Sequence, residues 1–148
     1  MDFELVIPTS AQIETLYAQL KHRSHNISHK SVPSFEQHTK FVQNHPYRKW
    51  IILKDSDVAI GNIYIQYDNS LGLNVDSSVS SEQIHKILEG IYKSNSPLPA
   101  VPSVRFGEFF LNIASKNKML QKKLSNLGFC EIQRTFILPN YIIKEWKD

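Results

Sequence analysis

The 148-residue chain has a single cysteine, Cys130, so no internal disulfide can form. No apolar run approaches the roughly 20 residues a bilayer-crossing helix needs. No charged start followed by an apolar run marks a signal peptide. The default expectation is therefore a cytoplasmic protein without a membrane partner. Charge of one sign is also scarce. Against 17 basic residues stand 14 acidic ones, and a formal +3 is too small an imbalance to imply nucleic-acid binding, although an anionic small ligand stays compatible. Internal repeats and low-complexity segments are missing as well. What remains is 41% hydrophobic and 21% charged, near the globular average, and one domain over residues 1–148 is expected.

Hydrophobic spacing and capping signals place the elements. A short strand over 3–7 ends at Pro8, and Thr9 with Gln12 forms a capping box for a helix whose apolar stripe is Ile13, Leu16, Tyr17 and Leu20. Residues 22–33 lack periodicity and read as a loop. Ser34 with Gln37 then opens a second helix through Val42, anchored by Phe35, Phe41 and Val42. Strands over 50–53, 60–67 and 71–75 are separated by turn residues at 54–57 and 68–70, which implies two hairpins. Ser80 with Gln83 starts a third helix carrying Ile84, Ile87, Leu88 and Ile91. Three prolines make 94–102 an irregular connection. A strand over 106–113, a helix over 118–127 with Leu120, Leu124 and Leu127 inward and Gly128 at its end, and a last strand over 132–138 complete the chain. The order β, two helices, three antiparallel strands, α, β, α, β predicts an α/β (α+β) fold. Its sheet is mixed and mostly antiparallel, with a right-handed parallel crossover and helices on both faces.

This order resembles the GNAT superfamily of N-acetyltransferases across nearly the whole chain. The most specific local match runs from Leu111 to Asn117 and is followed by Leu124-Ser125-Asn126-Leu127-Gly128-Phe129. A narrower similarity, in Asn26 to Lys30, Pro33 to Phe35 and His45 to Arg48, points to members associated with amino-sugar and polysaccharide pathways. The resemblance implies acetyl-CoA as donor and a small amine as acceptor, with an amino-sugar nucleotide as one candidate. It admits a homodimer as the assembly.

The resemblance also implies a place for the cofactor, where the 71–75 strand and the 106–113 strand diverge. Backbone groups of Leu73, Asn74 and Val75 would face the pantetheine and thioester, and Asn117 would touch the pantetheine arm. Family members carry a glycine-rich loop before the central helix, because glycines let backbone N–H groups approach a pyrophosphate at a positive helix end. Here the stretch from Asp76 to Glu82 has no glycine and no basic residue. Its phosphate ligands would be Ser80 and Ser81 with the free helix amides. A Tyr that protonates the leaving thiolate in many relatives is Leu124 here. Candidate bases are His25, His29, Tyr64 and Glu108. Glu108 is preferred, with His29 second, because a strand position in the cleft next to Phe109 and Phe110 would raise a carboxyl pKa toward a useful value. The alternative reading is a GNAT-shaped binding module that has lost catalysis.

Other signals are weaker. His22, His25 and His29 have helical spacing but lie in a loop without accompanying carboxylate or cysteine, so no metal site is expected. Lys116, Lys118, Lys122 and Lys123 form a positive cluster that reads as a solvated face or as a phosphate contact. Tyr47, Trp50 and Tyr67 read as core aromatics, and Cys130 as an inert buried thiol on the last strand.

Overall fold

The computed structural model describes residues 1–23 and 31–147. Five strands form one sheet in the order β1 (Asp2–Leu5), β2 (Lys49–Asp55), β3 (Val58–Ile65), β4 (Ser70–Val75) and β5 (Phe110–Leu111). The first three pairings are antiparallel and the last, β4 with β5, is parallel. The helices are α1 (Ser10–Lys21), α2 (Phe35–Gln43), α3 (Ser81–Ser94), α4 (Lys118–Asn126) and a short α5 (Asn140–Ile143). All three capping boxes read from the sequence form. Thr9, Ser34 and Ser80 accept from the amides of Gln12, Gln37 and Gln83, whose side chains bond back to the cap backbone.

Strand alternation divides the core between the two faces. Ile51, Leu53, Ile63, Ile65, Leu71 and Leu73 point to one side, where α3 and α4 cover them with Ile84, Ile87, Leu88, Ile91, Leu120 and Leu124. Trp50 and Ile52 point to the other, where Val6, Ile13, Leu16 and Val42 cover them through α1 and α2. Helices therefore lie on both faces. Phe35 and Phe41, expected to anchor α2, remain exposed, and the buried positions of that helix are His38 and Val42. The His38 Nε2 lies 3.1 Å from the Ile13 carbonyl, and the Tyr17 hydroxyl donates to the Pro33 carbonyl at 3.0 Å. These contacts clasp α1 to the start of α2.

Turn chemistry follows the sequence. Ser56 and Asp57 both have positive φ, as a tight hairpin between β2 and β3 requires. At the next hairpin Asn69 takes φ 73° and is fully buried. Its Nδ2 donates to the carbonyls of Leu98 and Phe106 at 2.9 and 2.7 Å, and its Oδ1 accepts from the Leu98 amide at 2.7 Å. Its own carbonyl accepts from the Phe110 amide at 3.3 Å. One side chain thus holds the proline-rich connection against the hairpin and seats β5 beside β4.

Two expected strands are corrected. The strand expected over 106–113 pairs only at Phe110 and Leu111. Before it, Val101 and Arg105 close a separate turn, and Asn69 ties down Phe106. The expected last strand over 132–138 is not a strand. It is paired with nothing among the described residues, and Ile132, Phe136, Ile137 and Leu138 are exposed. The period-two pattern is present, but a strand needs an edge to pair with, and no strand among the described residues takes this segment up. Cys130 shares that exposure instead of being buried. No helix among the described residues is long and apolar enough to cross a membrane.

Truncating Asn69 would strand the Leu98 amide and two carbonyls in a partly buried site and put an ordinary residue at positive φ. Asn69→Ala is therefore expected to lower unfolding free energy by about 3 kcal/mol, since each orphaned buried group costs about 1–3 kcal/mol. Urea denaturation followed by circular dichroism measures this, and an unchanged midpoint would contradict the assignment.

Candidate functional site

On the α1/α2 face the apolar cover stops at Trp50 and Ile52, and the same face of β3 and β4 carries Asn62, Tyr64, Gly72 and Asn74 instead. A cleft of about 1190 Å³ opens over Asn62, Tyr64 and Asn74. Its walls include Arg23 and His22 after α1, Phe41 from α2, Tyr47 and Trp50, and Asn117, Leu120 and Lys123 from α4.

Hydrogen bonds knit the floor together. The Arg23 Nη1 donates to Asn74 Oδ1 at 2.9 Å, and Asn74 Nδ2 donates to Asn62 Oδ1 at 3.0 Å. The same Asn62 oxygen accepts from Trp50 Nε1 at 3.0 Å, while Asn62 Nδ2 donates to Gln19 Oε1 at 2.7 Å. Buried amides paired this way stay in one orientation, because every alternative leaves a donor or acceptor unmatched. Above this network the Tyr47 and Tyr64 rings stack in parallel, 4.0 Å between centroids. Burial pushes both phenols above their ordinary pKa, and the nearby Arg23 guanidinium opposes this only in part. Both phenols are therefore protonated and able to donate near neutral pH. Burial also weakens the hold of Arg23 on its proton, yet an arginine starts high enough to remain cationic.

A second feature lies at the end of the sheet. The β4/β5 ladder has its last pair at Leu71 and Leu111, and the strands then separate. Asn69 directs its carbonyl to Phe110, and Ser70 directs its carbonyl to the Gln66 amide. Alternation therefore turns the backbone of Leu71, Leu73 and Val75 toward the β5 side and that of Gly72 and Asn74 toward β3. Beyond Leu71 no strand among the described residues pairs with that side. A small recess at the split is lined by Arg23, Tyr64, Gly72, Leu73, Asn74 and the Asn112–Ala114 stretch with Asn117.

The residues expected from the sequence fall as follows. Leu73 and Asn74 line both the recess and the cleft, and Val75 lines the cleft. The side chain of Leu73 is buried in the α3/α4 core, so its contribution to the recess is backbone, whereas the side chain of Asn74 belongs to the floor network. Asn117 reaches both chambers. Its Oδ1 caps α4 by accepting from the Leu120 amide at 3.3 Å. Ser80 spends its hydroxyl and amide on the capping box of α3, and the cleft wall ends at Asp76 and Ser77 without Ser80 or Ser81. Leu124 is core.

Glu108 requires a correction. It is exposed, precedes β5 and lies outside the cleft, which opens at the opposite, C-terminal end of that strand. The expected apolar surroundings are missing because strand pairing begins only at Phe110. His25 and His29 lie outside the described residues.

Other cleft residues carried weaker signals. From the sequence Tyr64 is one base candidate among four, and Tyr47 reads as core. Gly72, alone within an apolar strand, is the kind of position where another group approaches closely. A Cβ there would collide with the Tyr64 ring. Lys123 donates to the carbonyls of Ser77 and Val79 at 3.0 and 2.7 Å, so the turn before α3 receives from α4 the cation its own sequence lacks. Hydrogen bonds from the Ser78 hydroxyl and amide hold the Asp76 carboxyl below the usual range, with Lys123 acting in the same direction. Arg23 had no sequence signal.

Gly72→Ala is expected to drive the Tyr64 ring off Tyr47. Overpacking of this kind costs about 1–3 kcal/mol, and the near-ultraviolet circular dichroism of the stacked pair should collapse while the far-ultraviolet spectrum persists. An unchanged near-ultraviolet spectrum would contradict the geometry.

No protein-family profile matches the sequence, and no curated protein is significantly similar to it. Solved structures do match. A domain from Methanocaldococcus jannaschii superposes with a TM-score of 0.59 at 13% identity, covering 90% of this chain and 93% of that one. A protein from Clostridium difficile described as a "possible acetyltransferase" superposes with a TM-score of 0.54, also at 13% identity, covering 94% of this chain and 96% of that one. At such identity the likeness establishes shared architecture, and the fold of this chain is GNAT-like.

Proposed function

We propose that the chain is an acetyl-CoA-dependent N-acetyltransferase acting on a small amine. The observation that carries this reading is the split between β4 and β5 after Leu71 and Leu111, opening directly onto the cleft and its hydrogen-bonded floor. Free backbone groups at Leu73 suit an extended amide-bearing chain such as pantetheine, which would add hydrogen bonds where β5 has left. The α3 N-terminus retains the amides of Ser81 and Glu82 outside the capping box, and Lys123 offsets part of the charge of Asp76.

The chemistry needs few groups. The amine nitrogen attacks the thioester carbonyl, the C–S bond breaks, and the proton lost by nitrogen balances the one gained by the thiolate sulfur. Acetyl-CoA supplies the activated acyl group. Holding donor and acceptor together supplies much of the rate. The Arg23 cation in a desolvated floor disfavours an ammonium beside it, which keeps the acceptor in its nucleophilic neutral form. It also favours the negative charge that develops on oxygen and then on sulfur. Tyr64, held protonated by burial, is the floor residue with a proton to give to the leaving thiolate.

The second reading, a cleft that binds a ligand without turnover, draws on the occupied Ser80 cap and the acidic Asp76 in place of a glycine-rich loop. One experiment separates the two. Calorimetry with CoA and acetyl-CoA is followed by thiol release from acetyl-CoA over a panel of small amines. The first reading expects binding and amine-dependent release, with Tyr64→Phe lowering kcat by about 100-fold and leaving CoA affinity nearly unchanged. Absence of CoA binding at millimolar ligand overturns it. Binding without release from any amine favours the second.

A further inference from the structure

We infer that the end of the cleft between α2 and β2 is a binding site for a flat aromatic group, and that the acceptor is an amine carried on such a group by a short apolar linker. The acceptor assignment rests on the proposed reaction, whereas the ring site stands without it.

The first observation is a continuous row of rings. Trp50, Tyr64 and Gly72 are direct partners across β2, β3 and β4, so the row starts beside the split and runs two strand spacings, about 10 Å, across the sheet. The Tyr64 ring lies over Gly72, and Tyr47 stacks on it. Tyr47 meets Trp50 edge to face at 5.1 Å between centroids, and Phe41 meets Tyr47 and Trp50 in the same way at 5.9 and 5.8 Å. Trp50 is buried behind the others, but Phe41 lines the cleft with 44% of its surface exposed. A large ring held open in a concave wall suits another ring, because aromatic pairs add stacked or edge-to-face attraction to the area they bury.

The second observation is how the polar groups beside the rings are used. Trp50 Nε1 is spent on Asn62, and the carboxamides of Asn62 and Asn74 each engage both ends within the floor. Gln19 accepts from Asn62 and donates to the Gly61 carbonyl at 3.2 Å. A polyhydroxylated sugar needs many donors and acceptors turned toward it, and this floor turns them on one another.

Charge points the same way. Among the described residues of the wall the one carboxylate is Asp76, which lies at the turn before α3 and accepts from the Ser78 amide. Residues 22–34, between α1 and α2, contain no Asp or Glu. A polyamine or an aminoglycoside would bring several ammonium groups to a wall that already holds the Arg23 cation and has no carboxylate at this end to pair them. A single amine on an aromatic group avoids both conflicts: its ring lies on Phe41 and Tyr47, and its nitrogen reaches back along the row to the split.

Calorimetry without CoA compares phenethylamine with cyclohexylethylamine, its saturated counterpart. The aromatic compound is expected to bind about 3- to 10-fold tighter, and Phe41→Leu, which keeps an apolar cover over Trp50, should bring the ratio close to one. Equal binding of the two amines by the wild type, no binding at millimolar amine, or a ratio unchanged in Phe41→Leu would each overturn the ring site. Thiol release from acetyl-CoA, run with phenethylamine, spermidine, kanamycin, glucosamine and UDP-glucosamine, tests the acceptor. The highest kcat/KM is expected for phenethylamine, and Phe41→Leu should raise its KM while leaving kcat and the KM of acetyl-CoA nearly unchanged. A higher kcat/KM with any of the others overturns the acceptor assignment and leaves acetyl transfer standing. Phe41-dependent binding of phenethylamine by a chain without affinity for CoA has the reverse outcome: acetyl transfer and the acceptor assignment fall, and the ring site stands.

Discussion

The side chain of Asn69 is the constraint on which the geometry of the cleft depends. A left-handed turn residue would ordinarily sit at the surface, where water satisfies its amide. Here it is buried, and its partners are backbone groups of a connection that can form no helix or strand of its own. The proline-rich segment supplies carbonyls without a matching number of amides, and Asn69 supplies the donors. Because the same residue also receives the Phe110 amide, the start of β5 is held at one point beside β4. A strand attached at one end and free at the other can diverge, and the divergence is the recess.

Stability and chemistry are assigned to opposite faces of the same strands. On the α3/α4 face of β3 and β4, isoleucines and leucines pack without polar interruption. On the other, asparagines, a tyrosine and a glycine form a floor that hydrogen bonding, more than packing, holds in order. This explains how a cleft of such size persists. The apolar face supports the sheet, and Asn62, which pairs with Trp50, Gln19 and Asn74, anchors the floor to α1 and β2. The Tyr47–Tyr64 stack then depends on Gly72, since any side chain there would occupy the ring's place.

The departure of the 76–82 turn from a glycine-rich phosphate loop also has a tertiary compensation. Serines and two carboxylates alone would repel an anion. Lys123, nearly fifty residues later, reaches the carbonyls of Ser77 and Val79 and brings a cation to the turn. Spacing along the chain could place Lys123 in a basic cluster, but only the packing of α4 beside α3 says which carbonyls it meets.

What the sequence alone determined follows from short-range physics. Three capping boxes, the apolar stripes of α1, α3 and α4, the hairpin turns at Ser56-Asp57 and Asn69, and the alternation in β2 to β4 all depend on neighbours within about one helical turn or one strand. They were legible, and with the element order they indicated a GNAT-like mixed sheet. What tertiary structure decided depends on distant partners. Ile132–Leu138 has the alternation of a strand, but a strand exists only when an edge pairs with it, and among the described residues none does. Glu108 looked like a strand residue in the cleft, but pairing begins two residues later and leaves it in solvent at the wrong end. Arg23 joins the floor because α1 crosses β3 and β4, a placement set by Ile13 and Leu16 against Trp50 and Ile52 and written in no local motif.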